Sequence, residues 1–473
     1  MKILWLCNVL PPMVANKLNM QGSGKEGWIS GTLSRFIAMA DGTVKENPDS
    51  IYATENNGKP SEIHRAQKEI QLSLAFPVDS LQKEKYYSIN LSDNFTVKCF
   101  GYYENTNMPE NYCLSMEAGF KAIIEELQPD IVHVFGTEYG HTLAMARVIK
   151  ELEKHYAEKT DANITTNENT AESLKKTCPP KLLIGIQGVI SKCGEEYTAE
   201  LPYSAIHGLT FRDLIKKDNI SRQQAKFLER GEMEKEAIAL ASNVTGRTAF
   251  DESFVKSVNP DARYYFMNET LREVFYTGQW ELEKCSRHSI FISQGDYPSK
   301  GLHILIEAMA KIVENFTDAV IYVAGADITA YGSLKEKIKI GSYGKYLRKL
   351  TNALGLSRKV IFTGRLDEKQ MKEMYLKCHT YVCASSLENS PNSMGEAMLL
   401  GVPVVASRAG GIPSLIEENI EGLLFEAGNS EGLADNIIRL WNDDDLAISL
   451  GKKGRERAIT THNGDVNYNR LLE

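Results

Sequence analysis

The sequence predicts an α/β protein of two Rossmann-like domains, each a doubly wound parallel sheet, facing one another across a cleft. Three observations predict it. At 473 residues with 42% hydrophobic content the chain exceeds what one core organises, so two domains of roughly 200 residues or more are expected. Short apolar runs rich in β-branched residues alternate with helical patterns in both halves, as parallel strands joined by crossover helices do. The segment FYTGQWELEKCSRH, from Phe275, separates the two alternations. The expected domains are residues 1–280 and 281–455, with 456–473 a C-terminal segment packing back on the first domain.

In the first half, KILWLCNV reads as a buried strand. MKILWLCNVL resembles the start of a secretory leader, but Pro11 and Pro12 end the apolar run and no small-residue cleavage site follows. A glycine-containing loop from Pro11 to Gly27 and a helix from Trp28 to Ala40 come next. Residues 41–95 are weakly patterned and read as an excursion from the domain. DIVHVFG, KLLIGIQG and SNVTG are the later strands. The stretch from about Ala157 to Thr177 is polar and without apolar periodicity, which predicts a surface insertion.

The second half reads more plainly. SIFISQ, AVIYVAG, KVIFTG, TYVCAS, PVVAS and GLLFE are six candidate strands with helical patterns between them. After the first, Leu302, Leu305, Ile306, Met309, Ile312 and Val313 share one helical face.

Composition narrows the function. The net charge of -8 is spread along the chain, with no arginine-rich or aromatic-interleaved stretch, which argues against nucleic acid as a partner. No run approaches 18 apolar residues, so no transmembrane helix is expected. Eight scattered cysteines suit reduced thiols in the cytoplasm rather than disulfides or a zinc site. The nine histidines form no H-x3-H pair, and neither metal nor cofactor is expected. Leu334 to Lys359 carries eight Lys or Arg against one Glu. It reads as a solvated helix face.

SSLENSPNSMGEAMLLGVPVV carries the most chemistry. A strand, TYVCAS, ends in a loop, and Ser393 through Leu400 reads as a helix stopped by Gly401. A helix start at the carboxyl end of a parallel strand presents the amides of Asn392, Ser393 and Met394 and the positive end of a dipole, an anion site suited to a diphosphate. Glu388 and Glu396 lie eight positions apart, and each carboxylate can accept two hydrogen bonds from a vicinal diol. Ser393 and Glu396 also have the spacing of a capping box. Lys300 sits at a strand-to-helix junction on the same rim, where an ammonium reaches the same phosphates.

Lys300-Gly301, FTGRLDEKQMKEMYLKC, the Glu388/Glu396 pair, GVPVVASRAGGIP and EGLLFEAG together resemble the retaining glycosyltransferases of the family 4 class, with the GT-B fold, over roughly residues 288–440. The resemblance implies that Lys300 neutralises the donor diphosphate, Glu388 contacts the hexose and Glu396 binds the ribose hydroxyls. Backbone around Gly364, Arg365 and Leu366 would meet the base. Relatives often carry an arginine five or six residues before the lysine; here those positions hold Gly295 and Gln294, and Arg247, Arg365 or Arg408 is expected to supply the second charge.

On the acceptor side, Gly22, Gly24 and Gly27 precede the first helix, where glycine lets backbone approach a ligand. More than ten residues separate them from the strand, which argues against a dinucleotide fingerprint. His133, Glu138, His141 and Gln187 follow strands at the same rim, as do Arg247 and Asp251, with Thr248 a natural N-cap. Glu138 joins Lys300 and Glu388 as a candidate catalytic residue, and His133 also fits a buried structural role. These segments look like a bacterial surface or capsular polysaccharide branch of the family. The expected activity is transfer of a hexose from a UDP or GDP sugar to a glycan or lipid-linked acceptor. A lipid-linked acceptor, implied only by the resemblance, would make the basic stretch from Leu334 to Lys359 a peripheral contact with anionic lipid at the inner face of the plasma membrane. The alternatives are a phosphorylase or nucleotide-sugar epimerase on the same two-domain cleft, or a non-catalytic nucleotide-sugar sensor, for which Gln294 is the hint.

Overall fold

The computed structural model describes residues 1–20, 27–42, 70–105, 108–164, 178–198 and 200–473. Two sheets organise them. The first has eight strands in the order β3-β4-β2-β1-β5-β6-β7-β8: β1 (Lys2–Leu6), β2 (Gln71–Val78), β3 (Tyr86–Asn90), β4 (Thr96–Tyr103), β5 (Ile131–Phe135), β6 (Lys181–Gly185), β7 (Asn243–Gly246) and β8 (Arg263–Phe266). The second has six, β11-β10-β9-β12-β13-β14, namely β9 (Ser286–Ile292), β10 (Val320–Val323), β11 (Val360–Phe362), β12 (Cys378–Cys383), β13 (Val404–Ser407) and β14 (Leu423–Phe425).

The first-half helices are α1 (Pro12–Leu18), α2 (Gly27–Ala40), α3 (Ser115–Leu127), α4 (Gly140–Ile164), α5 (Ile190–Glu195), α6 (Tyr203–Ile206), α7 (Phe211–Lys216), α8 (Ile220–Leu240) and α9 (Ala249–Val258). Around the second sheet lie α10 (Leu302–Asn315), α11 (Leu334–Lys339), α12 (Ser342–Ala353), α13 (Glu368–Lys377), α14 (Asn392–Leu399), α15 (Ser430–Asn442), α16 (Asp444–Thr461) and α17 (Gly464–Leu472).

Helices cover both faces of each sheet, so the central strands are buried throughout: every residue of β12 is buried, and Leu4, Trp5 and Leu6 of β1 are at most 1% exposed. On α10, the spacing of Leu302, Leu305, Ile306, Met309 and Ile312 turns all five into the core at 0–1% exposure. Each such side chain contributes about 1.5–3 kcal/mol of burial.

Two expectations change. Residues 70–95 are no excursion, since β2 and β3 belong to the first sheet, and β3 pairs antiparallel with β4 on its edge. The expected insertion is a helix over 157–164, where α4 runs on; its remaining residues, 165–177, lie outside the described residues. All eight cysteines are free. No helix among the described residues is long and apolar enough to cross a membrane.

The chain crosses between the sheets after β8 and again after α16. Trp280, in the first crossing, donates its indole N–H to the Cys378 carbonyl at 2.8 Å. Beyond the second, α17 lies on α2, with the Tyr468 and Phe36 rings edge to face at 5.0 Å.

Candidate active site

The loops after the strands of both sheets enclose a cavity of about 360 Å³. Gln294, Lys300, Glu388, Asn392 and Ser393 line it from the second sheet, and Glu138, Gln187, Gly188 and Arg247 from the first. Sequence-expected residues far apart in the chain thus share one space.

Glycine makes the second-sheet wall possible. Gly301 has φ +70°, and a Cβ there would run into the Ala384 carbonyl at the end of β12; the left-handed conformation and the close approach both call for glycine. This seats Lys300 beside Glu388, with Nζ 2.5 Å from Oε1. The Ser385 hydroxyl donates to the same oxygen at 2.8 Å. Burial works against the Lys300 charge, but the neighbouring Glu388 outweighs it and holds the ammonium well above its usual range. Beneath the loop, Gly410 (φ +53°) and Gly411 leave no room for a Cβ against the carbonyls of Glu388 and Asn389, and the Gly411 amide donates to the Glu388 carbonyl at 2.8 Å.

Helix α14 starts one residue earlier than the sequence suggests, with Pro391 as its N-cap and no side-chain cap. The expected capping box therefore does not form: the Ser393 hydroxyl instead accepts from Tyr381 at 2.8 Å. The amides of Asn392 and Ser393 have no acceptor among the described residues, whereas that of Met394 donates to Pro391 at 3.0 Å. Met394 is buried at 1% and lines the core rather than the cavity.

Glu396 lies a turn further on. It is buried beside the cavity, not on its lining. Its Oε1 accepts from Arg272 Nε and Nη2 at 3.0 and 2.6 Å, and its Oε2 from Tyr375 at 3.3 Å. Burial raises its pKa, against the pull of Arg272.

Gly364, Arg365 and Leu366 follow β11 on the same rim but outside the cavity lining. Gly364 and Gly325 exchange backbone hydrogen bonds at 3.1 and 2.9 Å, and beside each the space is open. Arg408 is paired with Glu418 and Glu426 at 2.6 and 2.9 Å, and Arg365 is exposed. Of the three candidate second cations, Arg247 is the one at the cavity.

Arg247 is 5% exposed. It pairs with Glu269 at 2.8 Å, donates to the Gln187 carbonyl at 2.7 Å and to Asn392 Oδ1 at 3.4 Å. Thr248 and Asp251 form the capping box of α9. From the opposite loop, the Asn389 amide donates to Asp251 at 2.8 Å, and the Asn389 oxygen accepts from the Thr248 hydroxyl, also at 2.8 Å.

Glu138 folds into the gap left by Gly136, whose φ is +81° and where a Cβ would collide with Glu138 and Asn8. The Asn8 side chain donates to Glu138 Oε2 at 3.0 Å, and burial raises the carboxyl's pKa. Glu234, 1% exposed, braces this wall. It accepts from Thr137, from the amides of Ile190 and Ser191 and from the Ser191 hydroxyl at 2.6–3.0 Å.

His133 is corrected: it is 2% exposed within β5, stacked 4.0 Å from Phe135, and does not reach the cavity. Burial lowers its pKa to about 3. His141 is likewise buried, its pKa lowered to about 4. Gly27 begins α2, while Gly22 and Gly24 lie outside the described residues. Sequence reading missed Asn8, Glu234, Glu269 and Asn389; Asn8, Glu269 and Asn389 lie near strand ends or within a quoted segment and Glu234 inside α8, but the partner of each is remote in the chain. Among the described residues no three His, Cys, Asp or Glu side chains gather as metal ligands.

A GDP-mannose-dependent α-(1-6)-phosphatidylinositol monomannoside mannosyltransferase of Mycobacterium tuberculosis is 27% identical over 166 residues, which are 34% of this chain and 40% of that protein. The chain thus spans less than half the length of this relative. Among solved structures, a sucrose-phosphate synthase from Thermosynechococcus elongatus has a TM-score of 0.61 at 14% identity, covering 100% of this chain and 97% of its own. Anabaena HepE in complex with UDP has a TM-score of 0.57 at 16% identity, covering 100% and 98%. At such identities the likeness is one of fold. The chain therefore has the GT-B fold, and its residues 280–457 match the family model described as Glycosyl transferases group 1.

Proposed function

We propose that this chain is a retaining glycosyltransferase that moves a hexose from a UDP or GDP sugar to a glycan or lipid-linked acceptor, in the building of a bacterial surface polysaccharide and without a metal or other cofactor. One observation carries the reading: the Lys300–Glu388 pair lies at the N-terminus of α14 and shares its cavity with Glu138 and Arg247.

As the anomeric carbon–oxygen bond of the donor breaks, negative charge gathers on the diphosphate and positive charge on the sugar. Lys300 has three donors, of which Glu388 takes one, leaving two for phosphate oxygens. The amides of Asn392 and Ser393 add dipoles already aimed at the anion, and Arg247, held by Glu269, takes the place of the arginine absent at Gln294. Glu388 is left to meet the hexose and its developing cation. Glu138, with its raised pKa, faces the acceptor and assists loss of its hydroxyl proton. The relative named for GDP-mannose and the solved structure bound to UDP support a nucleotide diphosphate sugar as donor.

The test is a thermal-shift panel of UDP, GDP and ADP compounds, then product formation. A cognate compound at a hundred times its Kd stabilises the wild type by about 2.7 kcal/mol. Lys300→Ala weakens binding by roughly 10–100-fold. If no nucleotide diphosphate stabilises the wild type, the donor site is misassigned. Glycosidic product that persists in Glu388→Ala removes Glu388 from the chemistry, and binding with no product from any acceptor makes the chain a sensor.

A further inference from the structure

A second interdomain cavity, of about 510 Å³, lies between α7, α8, α11 and α12, with Arg212, Asp296, Lys335 and Lys339 in its walls. Around its mouth the surface is unlike the rest of this acidic protein. On α7, Phe211, Leu214 and Ile215 are 58%, 60% and 63% exposed, and Leu209 just before them 56%. The spacing i, i+3, i+4 places the three on one helical face. Helix α11 packs against α7 and exposes Leu334 and Ile338 at 75% and 43%. Five exposed lysines flank these apolar residues: Lys216, Lys217, Lys335, Lys337 and Lys339. Among the described residues none of the five has an ion-pair partner, whereas the acids on and beside the two helices are engaged, Asp218 with Arg212 and Lys226. Glu336 caps α11 through Ser333, and Asp213 accepts from the Ser342 amide at 3.0 Å.

We propose that this α7–α11 face docks on an anionic lipid surface, its apolar side chains entering the headgroup boundary and its lysines meeting lipid phosphates. Apolar residues ringed by unpaired lysines complement an anionic bilayer. A second copy meeting the same face across a twofold axis would set lysines against lysines, which costs free energy. The face is contributed by both halves of the chain, so docking also favours the arrangement in which Asp213 holds the start of α12. Asp296 lines this cavity, and its neighbour Tyr297 lines the 360 Å³ cavity, so a headgroup entering from the membrane side arrives next to Lys300. That last consequence rests on the transferase reading; the docking itself does not.

The experiment is co-sedimentation of the full chain, without nucleotide sugar, with vesicles of phosphatidylcholine alone or mixed with phosphatidylglycerol. Wild type sediments with the mixed vesicles, less so as salt rises, and not with phosphatidylcholine alone. Each lysine removed weakens partitioning by about fivefold, so Lys335→Gln/Lys337→Gln/Lys339→Gln loses on the order of a hundredfold. Leu214→Ser/Ile215→Ser loses the component that survives high salt. These side chains are exposed, so both variants keep the wild-type unfolding temperature; should the leucine–isoleucine variant not fold, the lysine variant decides alone. Wild type that ignores anionic vesicles, or variants that bind as it does, overturn the proposal. So does a wild-type dimer that Leu214→Ser/Ile215→Ser turns into a monomer, since the face is then an interface between copies. Failure here with nucleotide stabilisation intact leaves the donor site standing.

Discussion

A methyl group at Gly301 would press into the Ala384 carbonyl while forcing a side chain into the left-handed region. Gly301→Ala should therefore lose roughly 3 kcal/mol or more and move Lys300 off Glu388, which a lowered unfolding temperature and weaker nucleotide stabilisation will register together. If the variant melts and binds as wild type does, the β12 contact is not what seats the lysine. At this scale the sequence is uneven as a guide. Lys300 and Glu388 were legible as charged residues on one strand-end rim, and their roles only through the family resemblance. Glu396 was legible as a residue but not in its setting: its partner Arg272 stands 124 positions earlier, and no periodicity connects them. His133 was misleading at the cleft because a histidine in a strand looks the same in sequence whether it faces a cavity or a neighbouring ring.

Elements were most legible where their surroundings are most uniform. The strands of the second sheet are continuous apolar runs that stand out from the helical pattern between them, and all but the edge strand β11 carry buried residues. β2, β3 and β4 were lost because they lie toward or at the edge of the first sheet, where burial alternates or falls away, as in β3, and because Pro77, which β2 carries within it, reads in sequence as a strand breaker. The wall opposite Lys300 depends on a bond between elements, the bracing of α5 and the β5 loop by Glu234. Removing its carboxylate by Glu234→Ala strands two backbone amides and the Ser191 hydroxyl in the interior, a loss of about 3 kcal/mol. Because Glu138 and Gln187 sit on the two braced loops, the variant should also raise the acceptor KM while nucleotide stabilisation stays near wild type. An unchanged acceptor KM would reduce Glu234 to a cap.

Across the whole molecule, pH should act through buried groups. Glu104 is 5% exposed, and burial raises its pKa to about 8. The folded state holds this proton more tightly than the unfolded chain, so the stability is complete below the ordinary carboxyl value and is lost as pH rises toward 8. His133, His141, His379 and His462 work the other way, their pKa values lowered by burial to about 3 or 4. The unfolded chain takes up protons there first, so stability is lost as pH falls below about 6.5. The unfolding temperature should peak near pH 6.5, and Glu104→Gln should flatten the decline toward pH 8 and steepen the rise between about pH 4.5 and 6.5. A decline as steep in the variant would clear Glu104 of the effect.

The two crossings between the halves also meet each other: Tyr276 donates its hydroxyl to the His462 carbonyl at 2.5 Å, and the His462 ring lies 2.8 Å from the Glu269 carbonyl oxygen. Such a chain behaves like a door hung on two pins set side by side. The second pin is not covalent: α17 is held to the first half by packing on α2 rather than by a peptide bond, so a cut in the first crossing leaves the halves joined by non-covalent contacts, that helix's among them.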